Sequence, residues 1–213
     1  NRIISKVKSR YWKTTHKFGI HLPKTVKEAL EIDKAMNTDL WRKAVNKEMA
    51  KVKIAWKTHE GFTPQQAREG KVPDLIGFQE IGCHIVFDVK MDFTRKAQFV
   101  AGGHTTTAPS SMTYSSIVSR DSIHLAFLIA ALNDLDIMSC DLENAYLNAP
   151  CREKIWFEGG IECGEDHGKV CIVVRSLYGL KSAGAAFRSS LAQILQDIGY
   201  TSTKADPDIW LRK

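Results

Sequence analysis

The sequence predicts an α+β fold, and three observations predict it. Over residues 38–53, Leu40, Trp41, Ala44, Val45, Met49 and Val52 recur on one face at helical spacing. Over residues 84–90, Ile85, Phe87 and Val89 alternate with polar neighbours, and residues 96–101 offer a partner strand across a turn at 92–95, which reads as a β-hairpin. Two later stretches return to helical spacing. One runs to Leu132 with Ile123, Phe127, Ala130 and Ala131; the other spans 182–199 with Phe187, Leu191, Ile194, Leu195 and Ile198 turned inward.

The remaining elements follow in chain order. Residues 1–22 are basic and weakly patterned, and are expected to form a poorly ordered extension. Pro23 opens a connecting segment, and Thr38 is placed to cap the first helix. Residues 58–75, with Gly61, Pro64, Gly70 and Pro73, read as loop. After a polar, turn-rich stretch at 105–116, Ser119 or Asp121 starts the helix that runs to Leu132. Residues 136–141 predict a short strand ending on a carboxylate, and 144–148 a helical turn after it. Strands are expected at 154–157 and 170–175, with a last one starting at 208–211. The chain shows neither internal repeats nor low-complexity tracts.

Composition bounds the function. The 213 residues suffice for one large or two small domains, and 44% apolar content allows a core. The net charge of +6 is unevenly spread: residues 1–57 hold 15 Lys/Arg against 5 Asp/Glu, the rest 15 against 19. A basic front suits a polyanion such as nucleic acid, although a solvated basic tail fits the charge equally well. The apolar run at 125–132 is too short to span a bilayer, and no signal segment is visible, so no membrane partner is expected. Five cysteines without a CxxC spacing read as reduced thiols of an intracellular protein. A chain running from Asn1 to Lys213 without an initiating Met reads as a fragment or a polyprotein segment.

Chemistry centres on Ser139-Cys140-Asp141-Leu142-Glu143-Asn144-Ala145-Tyr146-Leu147-Asn148. An apolar strand would deliver Asp141 at its end, beside a chain reversal whose N–H groups suit a triphosphate. Two-metal phosphoryl transfer needs carboxylates on rigid elements, since Mg²⁺ demands well-placed oxygens. An aspartate that simply ends a strand or caps a helix has the same local pattern. A zinc site at Cys163, His167 and Cys171, with Cys151 upstream, is disfavoured because neither interval is the tight Cys-x₂-Cys knuckle.

Three further passages raise the specificity. They are Phe87-Asp88-Val89-Lys90 running into Lys96-Ala97-Gln98-Phe99-Val100-Ala101-Gly102-Gly103, Ser176-Leu177-Tyr178-Gly179-Leu180-Lys181-Ser182-Ala183, and Lys204-Ala205-Asp206-Pro207-Asp208. With the Asp141 segment, in this order and spacing, they resemble the reverse transcriptase of copia-type LTR retrotransposons. The resemblance covers roughly residues 23–213 and implies the fingers and part of the palm of a polymerase, preceded by the basic extension 1–22.

The resemblance implies roles. Asp141 is similar to the first metal-binding aspartate of the palm, which with two Mg²⁺ ions serves attack of a primer 3′-OH on a dNTP. Tyr146 resembles the steric gate under the sugar, which disfavours a 2′-OH by repulsion. Asn144 and Ala145 would offer backbone N–H groups to the triphosphate, and Lys90 its ammonium to the phosphates. Gly179 and Lys181 belong to a segment near the incoming base and template. Read without the family, Lys90 is a solvated hairpin lysine, Tyr146 a half-buried core aromatic, Gly179 a turn and Lys181 its flank.

Three departures matter. Gln98 stands where the family usually has Arg, which would weaken a phosphate contact. Ser182-Ala183-Gly184-Ala185-Ala186-Phe187 lacks the usual Pro, Arg and Trp. The Tyr-x-Asp-Asp pair that completes the metal site is not among these residues, and Asp206 and Asp208, split by Pro207, do not replace it. The chain alone is therefore expected to hold Mg²⁺ weakly or not at all and to lack polymerase activity. The implied partners are an RNA or DNA template-primer, a dNTP and the remainder of a Pol polyprotein, in a cytoplasmic particle or the nucleus. The alternative is a non-catalytic nucleic-acid-binding remnant held by its basic front. A nuclease or integrase site would need further acidic partners and has no place for the Ser176–Lys181 motif.

Overall fold

In a computed structural model of the chain, residues 15–107 and 113–212 are described. They open on a tight hairpin, β1 (His16–Lys17) and β2 (Ile20–His21). The end of the anticipated basic extension is thus structured, while its first 14 residues lie outside the described ones. A helix not anticipated from the sequence, α1 (Val26–Ala35), follows. The Thr25 side chain accepts the Glu28 N–H at 3.1 Å, and Glu28 accepts the Lys24 N–H at 2.7 Å. Its apolar stripe is weak, with Ala29 the one fully covered apolar residue, so periodicity did not mark it.

The helix α2 (Leu40–Val52) forms as predicted, but Thr38 does not cap it. The buried Asp33 of α1 does, accepting the Trp41 N–H at 3.2 Å and the Arg42 N–H at 2.8 Å, while Thr38 donates its hydroxyl to the same carboxylate at 3.0 Å. A carboxylate satisfies the first N–H groups of a helix better than a hydroxyl, because it also opposes the helix dipole.

The predicted hairpin is β5 (Cys83–Val89) with β6 (Arg95–Ala101), antiparallel, with Ile85 opposite Phe99 and Phe87 opposite Ala97. Its inner face packs on Trp41, Val45 and Val52 of α2. Trp41 meets Phe87 edge to face at 5.4 Å. Phe99 joins Trp56 at 5.7 Å and Phe157 at 5.8 Å, carrying the core into a four-stranded sheet. That sheet is ordered β3 (Trp56–His59), β8 (Val170–Val173), β7 (Ile155–Glu158), β4 (Gln79–Glu80), antiparallel except for β4 with β7. Residues 58–75 are accordingly loop only in part. They complete β3 and add a short helix α3 (Pro64–Arg68), opened by a Thr63–Gln66 capping box, and a 3₁₀ turn at Pro73–Leu75. Gly61, Pro64 and Pro73 punctuate these elements instead of abolishing them.

The second half departs further. The helix α4 (Arg120–Leu132) starts at Ser119, whose side chain accepts the Ser122 N–H at 3.0 Å. Its anticipated inward face is not covered: Ala130 alone is buried, and Leu125, Phe127, Leu128, Ile129 and Leu132 are each more than half exposed. The strand expected at 136–141 does not form, and residues 131–143 are all exposed. A strand persists by pairing with a neighbour, and among the described residues none pairs with this stretch. The last long helix, α5 (Ala183–Asp197), buries Ala183, Ala185 and Ala186, whereas Ile194 and Ile198, expected inside, are half exposed. Small residues let its first turns approach the core closely. Strands β9 (Thr201–Ser202) and β10 (Trp210–Leu211) close the chain. Among the described residues no helix is long and apolar enough to cross a membrane.

Trp41 is 1% exposed at the junction of α2 with the hairpin, and the Arg95 guanidinium lies 5.6 Å from its ring centre. Trp41→Ala is expected to cost about 3–5 kcal/mol of stability, measured by urea unfolding.

Candidate active site

Asn144 sits in the left-handed region, at φ 53° and ψ 41°, and turns the chain into a 3₁₀ helix at Ala145–Asn148. Asparagine tolerates this conformation, and the Leu147 N–H closes the turn onto the Asn144 carbonyl at 2.9 Å. The predicted helical turn is therefore present. Beyond it the chain is zipped to the residues before α5. Pro150 bridges Arg175, the Cys151 N–H donates to Val174 O at 3.0 Å, and the Ser176 N–H donates to Ala149 O at 3.0 Å. The Ser176 hydroxyl adds a bond to Pro150 O at 3.1 Å.

This pairing stacks the two motifs. The Tyr146 ring meets Tyr178 at 4.7 Å with a 65° interplanar angle, and Phe187 of α5 at 6.2 Å. Burial raises the Tyr178 hydroxyl's pKa, helped by Tyr146, Glu48 and Asp141 nearby. Asp141 itself is exposed and takes part in none of the ion pairs among the described residues. Glu143, two residues on, is tied to Lys51 of α2, which holds its carboxyl below the usual range.

Gly179 has a φ of +93°, and a Cβ there would run into the Ala101 carbonyl at the end of β6. Close approach is the requirement, because the Ala101 N–H donates to Tyr178 O at 2.8 Å. The Lys181 ammonium donates to the Thr106 carbonyl, and the Ser182 N–H and hydroxyl bond the buried Glu153 at 2.9 and 2.7 Å. The structure thus sets the turn of Asn144, Ala145 and Tyr146 against the Tyr178–Gly179 segment, with Asp141 near the Tyr178 hydroxyl, while the Lys181 ammonium is turned to Thr106. Lys90 is not with them. It stands exposed at the far end of the hairpin from Ala101. Strands of this length, at roughly 3.3 Å per residue, place it about 20 Å away. Tyr178, Glu48 and Lys51 are neighbours the sequence did not mark, since their contacts join segments remote in the chain.

Two further carboxylates, Asp206 and Asp208, are committed elsewhere. Asp206 accepts the Ser119 N–H and the Asp208 N–H, each at 3.0 Å, and so anchors the start of α4. Asp208 pairs with Arg188 of α5 at 2.7 Å. Among the described residues no three His, Cys, Asp or Glu side chains gather as a metal site. Mg²⁺ takes several oxygen ligands, so Asp141 with these neighbours does not fit the ion. The thiols of Cys151, Cys163 and Cys171 are pushed up by burial to about 11, 11 and 12, which keeps the free thiols protonated near neutral pH.

The Asp206 carboxyl is held below the usual range by the Ser122 hydroxyl and by the N–H groups of Ser119 and Asp208. A depressed folded pKa contributes stability that is present above about pH 4, the unfolded value, and is lost as pH falls through the folded value. Acid titration followed by circular dichroism is expected to show loss of helix in that window, with a smaller change in Asp206→Asn.

Comparison with known proteins adds three findings. The model of the family described as reverse transcriptase (RNA-dependent DNA polymerase) matches residues 72–213. The chain is 27% identical over 146 residues, 64% of its length, to the retrovirus-related Pol polyprotein from transposon TNT 1-94 of Nicotiana tabacum, of which this covers 11%. It is 29% identical over 166 residues, 76% of its length, to the transposon Ty1-DR4 Gag-Pol polyprotein of Saccharomyces cerevisiae, of which this covers 10%. The chain therefore spans about a tenth of these relatives. No solved structure matches.

Proposed function

The chain belongs to the reverse transcriptase (RNA-dependent DNA polymerase) family, and we propose that it supplies the nucleotide-facing surface of a retrotransposon polymerase that builds DNA on a template from dNTPs. What supports this most is the joining of the two motifs at the Tyr146–Tyr178 contact, with Asp141 exposed beside it. In this reading residues 23–213 are the fingers and part of the palm, and residues 1–22 a basic extension.

The residues then divide the work. The Tyr146 ring, braced by Tyr178 and Phe187, is a wall that a ribose 2′-hydroxyl would strike. Bracing matters, because a ring free to swing aside imposes no steric cost. The N–H groups of Asn144 and Ala145, at the open end of the 3₁₀ turn, serve the triphosphate. Gly179 and Lys181 face the base and template. Lys90 takes part through a closure that brings the hairpin tip over the nucleotide. Template and primer are held by phosphate and shape, since a polymerase accepts any sequence. Asp141 provides one carboxylate, and Mg²⁺ needs others from beyond the described residues.

The uneven charge supports a second reading, a nucleic-acid-binding remnant without catalysis. Primer extension on an RNA template separates the two. In a Pol polyprotein carrying this chain, Asp141→Asn is expected to abolish extension, and Tyr146→Ala to raise incorporation of ribonucleotides relative to deoxynucleotides. The 213-residue chain alone is expected to extend no primer. Extension that survives Asp141→Asn would contradict the polymerase reading, and salt-sensitive binding indifferent to Asp141 would favour the remnant.

A further inference from the structure

Residues 131–143 are exposed throughout, yet a carboxylate that serves Mg²⁺ needs a fixed place. Among the described residues, one hydrogen bond joins the stretch 136–143 to another part of the fold: the Lys51 ammonium of α2 donates to the Glu143 carboxylate. The two residues lie 92 positions apart in the chain, so no local pattern brings them together.

Lys51 stands on a rigid support. Its neighbour Val52 is 4% exposed in the core, and Glu48, one turn earlier, accepts the Phe99 N–H of β6 at 2.9 Å. Lys47 shares the face of Lys51 and, after Lys51, adds its positive charge toward Glu143. On the other side of Glu143, the left-handed Asn144 fixes how the chain enters the 3₁₀ turn. Glu143 is thus held between α2 and that turn. Asp141, two residues away, stays within about 7 Å of it along the chain. Beyond burial and Tyr146, the charges that raise the Tyr178 hydroxyl's pKa are Glu48 of α2 and Asp141, so helix and exposed stretch lie near the same group.

The Glu143 side chain is 75% exposed, and an ion pair so open to water adds little to folding stability. What it governs is where the chain before Asn144 lies.

We propose that Lys51 is a positioning residue of the polymerase site: by holding Glu143 against α2, it keeps residues 136–143 where Asp141 can meet the nucleotide. The proposal rests on the polymerase reading, and it adds to that reading a part played by α2, exerted through Glu143 and not by contact with substrate. Support of this kind matters, because a reacting group slightly out of place loses much of its effect.

The test is single-nucleotide incorporation by a Pol polyprotein carrying this chain, with kcat and the KM for dNTP measured separately at several salt concentrations. Lys51→Met keeps the aliphatic stem and is expected to lower kcat about three- to fivefold, the range an exposed ion pair can shift, with KM little changed. The deficit is expected to shrink as salt rises, because salt screens the pair in the parent. Glu143→Gln, which removes the same pair from its exposed side, is expected to show the same loss. Lys51→Glu with Glu143→Lys is expected to recover most of the parent kcat, since the reversed pair closes the same link. If the parent extends and both single variants keep its kcat, or the reversed pair recovers nothing, the positioning role is overturned and the polymerase reading stands. A raised KM with unchanged kcat means that Lys51 only offsets charge near the triphosphate, and overturns the role as well. A loss confined to Lys51→Met, with a lower thermal midpoint of the 213-residue chain, makes Lys51 a packing residue and also overturns it. A parent polyprotein that extends no primer overturns the polymerase reading, and the proposal with it.

Discussion

The pairing of residues 149–151 with 174–176 is the constraint on which the candidate site depends. It joins two segments that have no local reason to meet. Once they are zipped, Tyr146 and Tyr178 have to pack, and the left-handed Asn144 then sets where the chain leaves toward Asp141. Gly179 secures the other side, since its missing Cβ lets the same segment lie against the end of β6. The site is therefore carried by the hairpin core: α2 supports the hairpin through Trp41 and Phe87, and the hairpin supports Tyr178 through Ala101.

Carboxylates show a division between structure and chemistry. Asp33 caps α2, Asp166 accepts from Lys53 and the Trp56 indole, Asp206 anchors α4, and Asp208 pairs with Arg188. Asp33, Asp166 and Asp206 sit where an unpaired charge would be costly and are matched by donors, whereas Asp208 keeps its buried Oδ2 without a hydrogen-bond partner. Asp141, by contrast, is exposed and precedes the turn at Asn144. The apolar surface of α4 and the unpaired stretch before Asp141 lie on the same part of the chain. Where the fold is least covered, its candidate chemistry is concentrated.

Much of this was legible in the sequence, for identifiable reasons. The hairpin of β5 and β6 follows from strict alternation, and α2 from a broad apolar face. The turn at Asn144 follows from residue type. The role of Asp33 was not legible, because a cap supplied from another helix leaves no local pattern, and Thr38 is the nearer candidate. The helix α1 lacks a strong stripe. The inward face assigned to α4 fails, and that of α5 holds only in part, with Phe187 half-buried against Tyr146 while Ile194 and Ile198 are half exposed, because periodicity shows which residues share a face, whereas burial requires something to cover it. The strand at 136–141 fails for the same reason. Of the site, the turn at Tyr146 meets the segment of Tyr178 and Gly179, but nothing local announces Tyr178 as the partner of Tyr146 or places Lys90 at the remote tip.

The most direct measurement is a proton nuclear Overhauser spectrum of the folded chain, read at the aromatic rings. With ring centres at 4.7 Å, Tyr146 and Tyr178 are predicted to show strong cross-peaks alongside those between Ile85 and Phe99 across the hairpin. Cross-peaks within the hairpin without any between the two tyrosines would mean that the core folds while the motifs stay apart, and would contradict the account of the site.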